Sequence, residues 1–331
     1  MDFYILQLSF LMIIWISFIV LVSIFLCLDL FVFNRKAHVI KTKEASKFTA
    51  LWVGIALLFT GVIYFIYDGG YLANPDQLNG SDAAIKYLTG YLIELSLSVD
   101  NIFVIAVIFK SFSIDQKYQH RVLFWGIVGA LVFRALMILF GIALINEISW
   151  MTYIFGAFLL YTAFKMIKSK EEEFDPKTSY IYKFSRKLFP VTDRIEGQQL
   201  FIKKMGKRIA TPLFLALVVI ELTDVLFALD SIPAILAITA DPFLVFSSNI
   251  LAIMGLRSMY FFLANLLDKF QHIHYSLVAI LAFVGIKMIL VHYVPFPEWL
   301  SLAVIFVSLA VGALFSLRDK KTEDDIQEQN K

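Results

Sequence analysis

The chain has 331 residues, 60% of them hydrophobic and only 17% charged, with 33 Phe and a mean hydropathy of +0.77. That apolar share exceeds what a water-soluble domain carries, and several uninterrupted apolar runs of about 20 residues point to a polytopic helical membrane protein. The alternating pattern of a membrane β-barrel is absent. The net charge of +2 says little as a total, and a single cysteine, Cys27, excludes an intrachain disulfide or a thiolate metal cluster.

Nine spans are expected, at about 8–33, 47–67, 84–109, 121–145, 150–168, 212–238, 242–267, 275–291 and 299–317. The first lacks a basic n-region and is too long for the apolar core of a cleaved signal, so it is expected to be retained. The loop after it, "NRKAHVIKTKEASK", is strongly basic. The second loop, "YDGGYLANPDQLNGSD", has three Asp and no Lys or Arg. The third, "KSFSIDQKYQHR", is basic and the fourth, "NEIS", is not. The fifth, 169–211, is long and rich in Lys and Arg. The sixth, "TADP", carries only an acid, the seventh holds Lys269 and two His, and the eighth, "HYVPFPEW", has no Lys or Arg. Excess Lys and Arg marks cytoplasmic loops. Odd loops are therefore expected inside, the N-terminus outside, and the tail 318–331 inside and disordered. The fifth loop reads as a cytoplasmic linker of solvated charge, and its basic stretches offer a docking surface for a membrane-protein partner.

The third and sixth spans resemble one another. Setting "ELSLSVDNIFVIAVIF" beside "DVLFALDSIPAILAIT" places Asp100 on Asp230, Glu94 on Asp224 and Asn101 on Ser231. The spans that follow each hold an Arg, Arg134 and Arg257, and the next ones each end in Lys-Met-Ile, at Lys165 and Lys287. A three-span repeat must invert its direction across the membrane, so 84–168 and 212–291 are expected to form a 3+3 inverted repeat. The residues 1–67 add two helices before it and 299–317 one after. Transporters built this way hold their ion sites at the midplane between the halves.

Five acids, Glu94, Asp100, Glu221, Asp224 and Asp230, lie on the two related spans. An intramembrane acid must find a partner or a proton. One reading makes them structural ion pairs with Arg134, Arg257, Lys165 and Lys287, with Lys165 near enough to an end to snorkel. The other makes them a cation site. Oxygen donors without Cys or clustered His favour a hard divalent cation such as Mn²⁺, Mg²⁺ or Ca²⁺, and Asn101, Ser98, Thr223 and Ser231 can add neutral oxygens. No tightly bound cofactor is expected, only the carried ion; the partners are the bilayer, that ion and protons for coupling, with no nucleic acid. A six-residue step turns a helix face by about 240°, so Glu94 and Asp100 cannot meet on an ideal helix, nor Asp224 and Asp230. Either each acid serves a different stage of the ion's path, or the helix is broken between them, as Pro233 beside Asp230 favours in the sixth span. Glu221 has no acidic counterpart, its equivalent being Tyr91. No phosphate loop, nucleophile–base set or cofactor motif suggests an enzyme.

"LDLFVFNRKAHVIKTKEA", "ELSLSVDNIFV" and "ELTDVLFALDSIPAI" together resemble the TerC/Alx family of integral membrane proteins, and the resemblance covers essentially the whole chain. It implies a bacterial inner-membrane protein related to the LysE superfamily, with roles in manganese export and metal homeostasis, and in some members tellurite resistance. By that resemblance Glu94, Asp100, Asn101, Glu221, Asp224 and Asp230 occupy the acidic motif positions, and Mn²⁺ becomes the foremost cargo. Asp29 and His38 belong to the first-span motif; Asp29 is either a ligand on the metal's way in or a simple cap. Phe31 and Asn34 stand where that motif has Gly and often His. A membrane scaffold, with the acids as structural pairs, is the competing expectation.

Overall fold

The computed structural model describes residues 2–28, 42–72, 77–148, 150–168, 192, 197, 199–204, 207–263, 273–290, 293–294 and 296–329; within these, the side chains at 2–9, 100, 103, 146, 204, 207, 273–274, 298 and 316–329 fall outside the description. Among the described residues there are nine helices: α1 (Asp2–Leu28), α2 (Thr42–Asp68), α3 (Gly80–Ser111), α4 (Gln116–Glu147), α5 (Met151–Lys168), α6 (Pro212–Leu236), α7 (Pro242–Leu263), α8 (Ile273–Leu290) and α9 (Glu298–Gln329). Six of them contain stretches long and apolar enough to cross a membrane: Phe10–Leu28, Thr42–Asp68, Gly80–Ser111, Gln116–Ile145, Pro212–Leu236 and Pro242–Leu263. Tyr275–Leu290 and Trp299–Phe315 are shorter apolar helices. Helices suit this composition because hydrocarbon offers backbone N–H and C=O groups no partner but each other. The chain is a mostly helical, multi-pass integral membrane protein.

The helix starts are chosen by local chemistry. Asn79 caps α3, its side chain accepting from the Asp82 backbone N–H at 2.8 Å while its amide donates to the Asp82 carboxylate at 2.8 Å. Pro212 opens α6, where its missing N–H costs nothing. Asp241 caps α7 by accepting from Phe243 N–H at 2.9 Å and Leu244 N–H at 3.0 Å, and it also accepts from the Tyr67 hydroxyl at 2.7 Å. That last bond ties the end of α2 to the start of α7.

Helix α7 is the axis of the molecule, with 94% of its apolar window buried, whereas α1 has 11% and lies at the periphery. Around α7 pack α2, α3 and α4; α4 also packs on α6, α3 on α6 and α9, and α5 on α8 and α6. The α5–α8 crossing is set by small residues. A Cβ on Gly156 would stand 2.7 Å from Ile289 Cγ1 and 2.9 Å from the Gly285 carbonyl oxygen. Without a hydrophobic drive between helices in lipid, such close backbone approach supplies the packing.

Three sequence expectations change. Helices α3 and α6 run unbroken through their acids. Pro233 lies inside α6 without breaking it, because it falls in the last turn: its ring forfeits one bond, to the Leu229 carbonyl, and the helix ends three residues later with the Ala237 N–H bonded to the Pro233 carbonyl at 3.0 Å. The fifth loop is not wholly a linker. Its described end is an antiparallel hairpin, β1 (Phe201–Lys204) on β2 (Lys207–Ala210), with Phe201 opposite Ala210. Ile202 and Ala210 are buried and the Phe201 ring stacks 4.4 Å from that of Phe214, which anchors the hairpin to α6. Finally, α9 continues through the charged tail to Gln329 instead of ending near 317; Lys, Glu and Gln there are good helix formers. Residues 29–41 and 169–191, with Asp29, His38 and most of the fifth loop, lie outside the described residues.

Gly156→Val should lower stability by about 1–3 kcal/mol through overpacking, read as a fall in thermal midpoint in detergent. Gly54→Ala, where a Cβ would meet nothing within 4 Å, should leave that midpoint unchanged or raise it.

Candidate functional site

Spacing decides which polar side chains meet. Glu94, Ser98 and Asn101 are four and seven residues apart on α3, so they share one face. On α6 the three-residue step keeps Glu221 beside Asp224, while the six-residue step sends Asp230 elsewhere. Arg134 on α4 reaches into this space and is 1% exposed; Glu94 is 0% and Asp224 9%.

The Arg134 guanidinium joins three helices. Its Nη2 and Nε donate to the two oxygens of Asp224 at 2.9 and 3.2 Å, the bidentate fork that suits a carboxylate. Its Nη1 donates to Glu94 Oε1 and, at 3.1 Å, to Asn249 Oδ1. Asn249, on α7, returns its amide to Glu94 Oε2 at 3.1 Å. Ser98 donates to Glu94 Oε1 at 3.4 Å, and Asn101 donates its amide to Asp224 Oδ1 at 3.3 Å. Every carboxylate oxygen in this network is therefore bonded. Breaking it by removing the cation is expensive, because two buried carboxylates then lack a counter-charge.

Next to the network lies a cavity of about 20 Å³, lined by Asn101, Glu221, Thr223, Asp224 and Arg257 together with apolar residues of α3, α4 and α7. That is about one water-sized sphere of free space. Two oxygens at its edge are buried and have no hydrogen-bond partner: Glu221 Oε2 and Asn101 Oδ1. The Asn101 amide thus spans both features, its nitrogen in the network and its oxygen at the cavity. Gly129 on α4 leaves room for the Glu221 carboxylate, which a Cβ there would run into. The donors around the cavity are all hard oxygens: the Glu221 carboxylate, the Asn101 amide oxygen and the neighbouring Asp224.

The expected site thus divides. Glu94, Ser98, Asn101, Asp224 and Arg134 come together, and Glu221 and Arg257 share the adjoining cavity. Asp230 does not join them. It faces α5, where Thr162 donates to its Oδ1 at 3.0 Å and the exposed Lys165 supplies the nearby positive charge. Its separation from Asp224 follows from an unbroken helix. Lys287 is buried and donates to Ser301 on α9 at 2.9 Å, so its place is the α8–α9 contact. Thr223 lines the cavity but gives its hydroxyl proton to the Val219 carbonyl, and Ser231 is buried with an unpartnered hydroxyl. The Asp100 side chain and Asp29 lie outside the described residues. Among the described residues no group of three or more His, Cys, Asp or Glu stands as a ready-made metal cage. Asn249 escaped sequence reading. Its signal was the polar run Ser247-Ser248-Asn249 in an otherwise apolar helix, but an amide without charge does not announce itself as an acid does.

Arg134→Met should cost about 3–5 kcal/mol, the range for stranding a buried charge, and lower the thermal midpoint steeply. Combining it with Glu94→Gln and Asp224→Asn should recover much of the loss, because the stranded charges go with it.

Comparison with known proteins agrees with these features. A profile described as "Integral membrane protein TerC family" matches residues 79–324, which takes in α3 through most of α9. An uncharacterized membrane protein of Myxococcus xanthus, STKORF319, is 45% identical over 303 residues, covering 92% of this chain and 91% of its own. An uncharacterized membrane protein of Rickettsia bellii is 43% identical over 310 residues, 94% of this chain and 99% of its own. A protein of Escherichia coli K12 named putative membrane-bound redox modulator Alx is 43% identical over 296 residues, 88% of this chain and 90% of its own. No solved structure matches. With the profile spanning most of the chain and relatives aligned nearly end to end, the chain belongs to the TerC family of integral membrane proteins.

Proposed function

We propose that the protein carries a divalent metal ion, Mn²⁺ foremost, out of the cell across the bacterial cytoplasmic membrane. The observation that carries this reading is the pair of buried, unpartnered oxygens, Glu221 Oε2 and Asn101 Oδ1, on a cavity bordered by Asp224. Two unsatisfied acceptors in an apolar surround are costly, and a cation satisfies both at once. A donor set of carboxylate and amide oxygens is what Mn²⁺, Mg²⁺ and Ca²⁺ accept; manganese is preferred on the family resemblance.

In the empty protein Arg134 occupies both oxygens of Asp224. An arriving cation takes Glu221 and Asn101 first, then competes with Arg134 for Asp224. Glu94 and Asn249 hold the guanidinium while this happens, so no charge is stranded. Proton exchange supplies the coupling. The nine helices all cross the membrane in this reading, with the N-terminus outside and basic loops inside. Alternating access comes from one inverted repeat rocking on the other. The packing supports that arrangement: exchanging α3, α4 and α5 for α6, α7 and α8 maps the inter-repeat contacts onto one another, α3–α7 onto α4–α6, α5–α6 onto α3–α8, and α3–α6, α4–α7 and α5–α8 onto themselves.

A second reading, a membrane scaffold in which the acids are structural, draws on the saturated Glu94–Arg134–Asp224 network. The two part on loop 169–191. Deleting it should leave cellular manganese export largely intact if the protein is a self-contained carrier, and abolish the phenotype if the loop is a docking surface.

Binding in nanodiscs tests the site itself. Glu221→Gln should weaken Mn²⁺ about tenfold or more, one charged ligand contact being worth roughly 1.5–3 kcal/mol. Asp230→Asn should change it less than about threefold, since Asp230 faces α5. Equal affinity in Glu221→Gln and the unaltered protein would remove the cavity from the metal's path.

A further inference from the structure

The network and a second polar contact bracket the cavity. Helices α4 and α7 touch at two levels: Arg134 bonds Asn249 at 3.1 Å, and Tyr260 donates its hydroxyl to Gln119 Oε1 at 3.0 Å. Gln119 and Arg134 are fifteen residues apart on α4, and Asn249 and Tyr260 eleven apart on α7, or about 22 and 16 Å of helix. The cavity residues of both helices fall between those levels: Leu123 through Ala130 on α4, and Leu256 and Arg257 on α7. On α3 they lie between Glu94 of the network and Phe109.

Phe109 directly follows the lining residue Ile108, and Gln119 and Tyr260 each stand about one turn beyond Leu123 and Arg257, all toward the α3–α4 connection. They are 1%, 7% and 3% exposed, and the Phe109 and Tyr260 rings meet edge to face at 5.5 Å. Gln119 is itself held by the connection, its Nε2 donating to the Ile114 carbonyl at 2.9 Å. That connection carries Ser113 at φ 54, a left-handed conformation unusual for a residue with a side chain. A chain of bonds thus runs from the turn through Gln119 to Tyr260, joining α7 to the α3–α4 hairpin across the two halves.

The two closures differ in kind. On one side is a charged network in which Arg134 serves two acids. On the other is one neutral hydrogen bond backed by an aromatic edge-to-face contact, with no charge in it. We propose that the Tyr260–Gln119 contact, backed by Phe109, is the gate of the cavity, and that it opens while the Arg134 network stays shut. As the regulation of a cation site this rests on the transport reading; as a barrier it does not.

The test uses accessibility and needs no metal. With Cys27→Ala removing the single native thiol, Ile105→Cys reports on the cavity and Ile138→Cys, one turn past Arg134 on α4, on the far side of the network. Each is labelled in nanodiscs with a membrane-impermeant, positively charged methanethiosulfonate. Tyr260→Phe, and independently Gln119→Ala, should speed labelling at Ile105→Cys about tenfold or more and leave Ile138→Cys unchanged. An unchanged rate at Ile105→Cys in both variants overturns the gate; an equal rise at both reporters does so too, since it signals general loosening. Adding Mn²⁺ alone separates the two claims: protection of Ile105→Cys in the opened variants supports the cation site, and absence of protection with accelerated labelling leaves the gate standing and removes the metal.

Discussion

Everything in this bundle is arranged around one guanidinium that water does not reach. Arg134 cannot give up its proton, so the protein must surround it with acceptors, and those come from α3, α6 and α7. A charge in that position dictates which helices meet and at what depth. Asn249, the acceptor from α7, sits on the most enclosed helix.

The same arrangement divides the acids by role. Glu94 is wholly consumed, each oxygen bonded, and acts as an anchor. Asp224 is bonded only through groups that can leave, Arg134 and the Asn101 amide. Glu221 keeps an oxygen in reserve. Three carboxylates within one polar region thus form a gradient from fixed to free, with the free end at the cavity. Asn101 links the two ends, since its nitrogen serves the network and its oxygen borders the cavity.

Much of this was legible in the sequence because membranes simplify the code. Helix positions followed from apolar runs, and the importance of Glu94, Asp224 and Arg134 from the cost of charge in hydrocarbon. The 240° turn between Asp224 and Asp230 was also readable, yet a break at Pro233 seemed to offer an escape from it. Where a proline falls within a helix decides its effect: the expected end of this span lay within two residues of Leu236, which already put Pro233 in the last turns, where a helix tolerates it. Asn249, Gln119 and Tyr260 were missed for another reason: uncharged polar side chains are common enough in membrane helices that even a run such as Ser247-Ser248-Asn249 carries only a weak signal until its partners are known. The hairpin at 201–210 was hidden by its lysines, which mark a loop by charge while Phe201, Ile202 and Ala210 do the packing.

Helices α3 and α4 have 32 residues each and α7 has 22, or about 48 Å against 33 Å. A hydrocarbon layer is about 30 Å thick. A bilayer that fits α7 is therefore too thin for an upright α3–α4 hairpin, which must lean or leave its tip among the lipid headgroups. Gln119 is in the first turn of α4 at that tip, whereas Arg134 lies more than four turns deeper. Lean and reach trade against each other as lipid thickness changes, so the membrane's own composition bears on where the hairpin tip stands relative to Tyr260, while the buried arginine keeps its depth.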